Sequence, residues 1–132
     1  MTGVSRQNKK LLTMKKLFET KTDEKHTITG NRLIEILGDY GIKAERKTIY
    51  DDIKTLCDSG MDIEITKDGH SNAYYLAQRL FQDEELYVLA DAVASRRFLT
   101  QKKSKELLKK IQSLTSEHKA KDLRRMVYVS NR

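Results

Sequence analysis

Ile49, Ile53, Leu56 and Cys57 recur at i, i+4, i+7 and i+8, the spacing of a single apolar stripe along a helix. Gly41 stands just before this segment and Gly60 just after it, where a short turn and a helix C-cap want glycine. On such a helix Arg46, Lys47, Tyr50 and Lys54 face away from the stripe. A short helix with one buried face, and a basic, hydroxyl-bearing face toward its N-terminus, has the chemistry of an element that reads the DNA major groove. An ordinary surface helix with solvated lysines has the same pattern, so the neighbouring elements decide between the two.

Upstream, Leu11, Met14, Leu17 and Phe18 within residues 9–20 predict a first amphipathic helix, and Lys21 to His26 reads as a polar loop. A second helix starts with Thr29 as N-cap and carries Leu33, Ile36, Leu37 and Tyr40 on its apolar side. Gly38 within it costs about 1 kcal/mol relative to alanine, and Gly41 ends it. Two helices joined across so short a glycine-containing turn form a helix-turn-helix pattern.

After Gly60 the period changes to that of a strand. Ile63 and Ile65 alternate with Asp62, Glu64 and Thr66; residues 67–72 give a polar turn longer than a two-residue hairpin loop, and residues 73–76 return. Three helices followed by a hairpin is the order of a winged helix-turn-helix. Its tip offers Lys67, His70, Ser71 and Asn72 to phosphate or to the minor groove. From residue 80 the pattern is helical again. Asp83, Glu84 and Glu85 fit a first helical turn, followed by Leu86, Leu89, Ala90 and Val93 at helical spacing. Thr100 caps a further helix with Leu107, Leu108, Ile111 and Leu114 as its stripe. Residues 116–121 read as a polar break, and Met126 to Val129 alternates like a terminal strand with little to pair with. The expected fold is therefore mostly α with a small β-hairpin: a winged helix-turn-helix over 1–79, a helical linker or dimerisation region over 80–124, and residues 125–132 beginning something further.

A net charge of +7 and an isoelectric point near 9.5 favour polyanionic partners, nucleic acid before anionic membrane. No apolar run approaches the roughly 20 residues needed to span a bilayer, and a single cysteine, Cys57, suits a reducing, cytoplasmic setting. His26, His70 and His118 lack metal-ligand spacing, and no phosphate-binding glycine loop or catalytic constellation emerges. Asp51 and Asp52 read as solvated neighbours that cannot act as an acid/base pair. The chain is expected to be no enzyme and to need no cofactor or metal.

The candidate DNA-binding residues are Arg46, Lys47, Thr48, Tyr50 and Lys54 on the third helix, Lys67, His70, Ser71 and Asn72 at the hairpin tip, and Arg6, Lys9 and Lys10 at the N-terminus. Arg46 and Lys47 are the candidates for guanine edges, Thr48 and Tyr50 suit bases or backbone, and Lys54, a turn on, meets backbone. A second basic set, Arg96, Arg97, Lys102, Lys103, Lys105, Lys109 and Lys110, reads as a solvated helix face.

At these residues the chain resembles the WYL-domain transcriptional regulators of bacteria. The resemblance is carried by Arg-Lys-Thr-Ile-Tyr-Asp-Asp-Ile-x-x-Leu at 46–56, Gly60 to Ile63, Tyr74-Tyr75-Leu76, Glu85-Leu86 and Leu89-x-Asp91-Ala92-Val93. It continues through Phe98-Leu99-Thr100-x-Lys102-Lys103-Ser104 and Val127-Tyr128-Val129-x-Asn131-Arg132, so it covers nearly the whole chain. Relatives commonly carry arginine in place of Asp51, which is why Asp51 is left out of the candidate site. The resemblance implies a homodimer paired through the helices near 80–120 and a ligand-sensing WYL domain beyond them; this chain stops about where that domain begins, so it is either truncated or naturally short, and the orphan strand favours truncation. The resulting expectation is a sequence-specific DNA-binding regulator of transcription. The alternative is a winged-helix module for protein interaction without specific DNA binding. An RNA-binding role lacks the exposed aromatic platforms that stack bases.

Overall fold

A computed structural model describes residues 5–96 and 98–130, and of residues 126–130 the backbone only. The described residues are mostly helical, with six helices and a small three-stranded antiparallel sheet. The chain divides after Ala77 into two compact units.

In the first unit, α1 (Arg6–Lys21) is capped by Ser5, whose Oγ accepts the Asn8 N–H at 3.1 Å, and it buries Met14, Leu17 and Phe18. The segment after it is not the solvated loop the sequence suggests. Thr22 and Asp23 are buried, and the Thr22 hydroxyl donates to the Phe18 carbonyl at 2.7 Å while accepting the Leu76 N–H at 3.0 Å. One side chain thus ties the end of α1 to a strand far along the chain. Then come β1 (Ile28–Thr29) and α2 (Gly30–Asp39), whose N-cap is Thr29 as expected; its Oγ1 accepts the Arg32 N–H at 3.1 Å. Leu33 and Leu37 are buried on α2, but Tyr40 is 54% exposed: the helix ends before it, and as C-cap it leaves the stripe. Gly41, at φ +75°, makes the turn.

The next helix, α3 (Arg46–Asp58), buries Ile49, Ile53 and Leu56 against α1 and α2. Each such burial stabilises by roughly 2 kcal/mol. Gly60, at φ +116°, leads into β2 (Asp62–Asp68) and β3 (Ser71–Gln78). Only Gly69 and His70 lie between the strands, so the connection is a two-residue turn and shorter than expected. Gly69 at φ +64°, followed by a residue without positive φ, is the sign pattern of a type II′ hairpin. Strand β3 is central, pairing with β2 on one side and β1 on the other, with Ile28 opposite Tyr74 and Thr29 opposite Ala73. Ile63 is buried but Ile65 is exposed, because β2 runs past the end of the core after its first residues.

The second unit holds α4 (Asp83–Ala94), α5 (Gln101–Gln112) and α6 (Glu117–Ser130). Glu85 Oε1 accepts the Gln82 N–H at 2.8 Å at the start of α4, and Thr100 caps α5. Leu86, Ala90 and Leu123 form the buried centre, with Tyr87, Leu108, Ile111 and Leu114 packed around it. Leu89, expected on the buried stripe, is exposed. The terminal strand expected at 126–129 is instead the last part of α6, and Ser116 is no break: its buried hydroxyl accepts the Lys119 N–H at 3.1 Å as the helix N-cap. A strand there has no sheet to join within this unit, whereas a helix satisfies its backbone internally.

Candidate nucleic-acid interface

The burial of Ile49 and Ile53, 1% and 6% exposed, fixes the rotation of α3 about its axis. Arg46, Lys47, Tyr50 and Lys54 are all exposed on the opposite side, as the periodicity predicts, while Thr48 is exposed at the edge of the contact with α1.

What holds α3 at this rotation was not legible as such. Lys10 and Asp52 form an ion pair at 2.6 Å whose side chains are 8% and 5% exposed. Gln7 donates to Asp52 Oδ1 at 2.8 Å, and Lys10 Nζ also donates to Thr48 Oγ1 at 3.1 Å. Thr48 in turn donates to the Glu45 carbonyl at 2.9 Å. Two expectations are corrected here. Lys10 is buried between α1 and α3 and does not belong to an outward-facing cationic set, and Asp52 is an interior partner where a solvated acid was expected. Both lie on the apolar stripes of their helices, Lys10 four residues before Met14 and Asp52 three after Ile49. Opposite charges at two stripe positions are the signal that was available.

A polar cavity of about 150 Å³ opens between α2, α3 and the hairpin. It gathers six of the candidate residues, Arg46 and Tyr50 from α3 with Lys67, His70, Ser71 and Asn72 from the hairpin. Its remaining wall is Thr29, Gly30 and Asn31, the N-terminus of α2, which sequence reasoning did not include. The positive end of a helix dipole thus shares a space with three basic side chains. Arg46 donates to Asn31 Oδ1 at 3.2 Å, and Lys67 Nζ donates to Asn72 Oδ1 at 2.7 Å, which braces the hairpin. Beneath lies Tyr74, whose ring meets that of Tyr50 edge-on at 6.4 Å between centroids. Burial pushes its phenol up to about 12, and the neighbouring Tyr50 hydroxyl adds to the effect.

Lys47 and Lys54 are outside this cavity, on the exposed side of α3. Arg6 and Lys9 are exposed on α1. Lys9 instead edges a separate groove of about 320 Å³, lined by Leu12, Thr13, Lys16, Leu17, Thr20 and Tyr40. In the second basic set, Arg96 lies over the Phe98 ring at 5.6 Å and Lys103 approaches Glu106 at 3.8 Å, while Arg97 falls outside the described residues. Among the described residues no cluster of His, Cys, Asp and Glu is arranged to hold a metal ion, and no helix is long and apolar enough to cross a membrane.

No family model, curated protein or solved structure matches this chain.

Proposed function

We propose that this chain is a cytoplasmic, homodimeric, sequence-specific DNA-binding regulator of transcription, of the kind its resemblance to WYL-type regulators implies. In this reading the first unit is a winged helix-turn-helix. Helix α3 enters the major groove, the β2–β3 hairpin is the wing lying over the flanking backbone, and the second unit pairs the protomers. The observation that carries the reading is the split of α3: Ile49, Ile53 and Leu56 are buried while Arg46, Lys47, Tyr50 and Lys54 are exposed, Arg46 and Tyr50 sharing a cavity with Lys67 and His70 of the hairpin. The surplus of cations supplies the phosphate neutralisation that makes duplex affinity fall with salt.

An electrophoretic shift assay titrated over salt tests it, using fragments selected from the genome of origin. Retention of one sequence class near physiological salt, against random duplex, is the expected result; indistinguishable binding of all duplexes, or none, rejects it. A second reading, a protein-interaction module, draws on the groove edged by Leu12 and Tyr40, both more than half exposed. It predicts loss of duplex preference at every salt concentration.

A further inference from the structure

Arg46 heads α3, yet its guanidinium turns toward the N-terminus of α2 and is held there by Asn31 Oδ1 at 3.2 Å. A guanidinium that reads a guanine edge must project along the exposed side of the helix with its fork open. Here one nitrogen is engaged by Asn31, and the group lines the polar cavity together with Lys67 and His70. A helix cannot satisfy its first N–H groups internally, and the Thr29 side chain takes up only that of Arg32. Gly30 presents bare backbone to the space, with nothing within 4 Å of the position a Cβ would take. The cavity, at about 150 Å³, is several times the roughly 30 Å³ share of a liquid water molecule.

A second observation points to an occupant. The Tyr74 hydroxyl oxygen is buried and makes no hydrogen bond of proper geometry. The groups that act on it are Tyr50, Asn72 and Arg46, all of which line the cavity, so this buried polar group adjoins that space from behind its wall. Backbone N–H groups, the Ser71 hydroxyl and three basic side chains around one small volume match a tetrahedral oxyanion carrying a double negative or single negative charge.

We propose that this cavity seats one phosphate group of the duplex backbone, and that Arg46 belongs to the seat and positions the protein without reading a base. The proposal rests on the DNA-binding reading and reassigns Arg46 within it, leaving Lys47 as the cation on the first turn of α3 that is free to meet a base edge.

Two arms test it on the full chain. In the first, inorganic phosphate is titrated into labelled protein and amide and arginine side-chain resonances are followed. Saturable shifts confined to Gly30, Asn31, Arg46 and residues 67–72, weakened at least tenfold in R46Q and reduced in S71A, are expected. Absence of saturation, or shifts unchanged by R46Q, overturns the seat, whatever happens with DNA. In the second arm, R46Q should weaken selected and random duplexes by the same factor and lower the slope of log affinity against log salt by about 1. A neutral methylphosphonate at one flanking position should cost wild-type affinity and cost R46Q nothing further. Selective loss on the preferred sequence, with relaxed choice at one base pair, makes Arg46 a base reader and overturns the proposal while DNA binding stands. Phosphate saturation without any methylphosphonate position coupled to Arg46 overturns the backbone as the source and leaves a free phosphate-bearing ligand.

Discussion

Lys10 and Asp52 carry opposite charges into a space where either one alone is costly. The pair lies at 2.6 Å with both side chains under 10% exposed, so removing one partner strands the other without solvent. Replacing Lys10 with Met is expected to cost about 3 kcal/mol of unfolding free energy. Combining it with Asp52→Leu should recover most of that loss, because two apolar groups leave no orphaned charge. Urea denaturation of the two single variants and the double variant checks the cycle; a double variant as unstable as the sum of the singles would sink the argument. Neither residue could be recognised as interior from its own type, since charged side chains are mostly exposed and the two are far apart in sequence. Only their places on the stripes of Met14 and Ile49 gave a hint. Tyr74 gives a pH-dependent counterpart. Its folded value of about 12 stands above the ordinary 10, so the folded state holds the proton more tightly than the unfolded chain does. That contribution is complete below about pH 10 and is lost as pH rises toward 12. Tyr74→Phe should therefore flatten the alkaline limb of a stability–pH curve between those values, as followed by urea midpoints at fixed ionic strength.

At the scale of elements, the joints were harder to read than the elements they join. Thr22 bridges the end of α1 and strand β3 with one hydroxyl, donating to Phe18 and accepting from Leu76. Thr22→Val keeps the shape but leaves the Leu76 N–H buried without its acceptor, at an expected cost of about 1–3 kcal/mol. Hydrogen exchange adds a sharper check: the Leu76 amide should lose protection by more than the global change in stability. Helices α1 to α5 were legible because each has an apolar stripe, and α2 and α5 also start at Thr29 and Thr100, the caps their types suggest. Strand β1 was not, since two residues carry no period. Helix α6 was misread for a related reason. A short apolar run such as 126–129 fits either period, and the deciding signal was Ser116, an N-cap residue followed by an acid in the first turn. In the candidate interface, the face of α3 was legible from periodicity, whereas the wall supplied by Gly30 and Asn31 was not. That wall exists only because β1 pairs with β3 and so carries the start of α2 to the hairpin.

For the whole molecule, the proposed dimer rests on what the second unit leaves uncovered. Leu86 and Ala90 turn inward on α4 to meet Leu123, and this leaves Val88 and Leu89 on the outside of the same helix. Val88 is 64% exposed, and Leu80 and Phe98 in the same unit are more open still. Exposed apolar side chains of this kind are what a pairing surface would use, and a two-fold dimer of such a regulator is expected on half-sites about 10 bp apart or a multiple of that. Val88→Glu with Leu89→Glu should halve the mass seen by light scattering, from a dimer to the 15.3 kDa chain. Helical circular dichroism should be unchanged, because neither side chain contributes to the buried centre. On DNA, the double variant should lose most of its preference for a paired inverted repeat over a single half-site while binding the half-site as before. That combination separates pairing from groove contact: a wild-type chain that is already monomeric removes the symmetry from the proposal, yet the half-site measurement still decides whether α3 reads DNA.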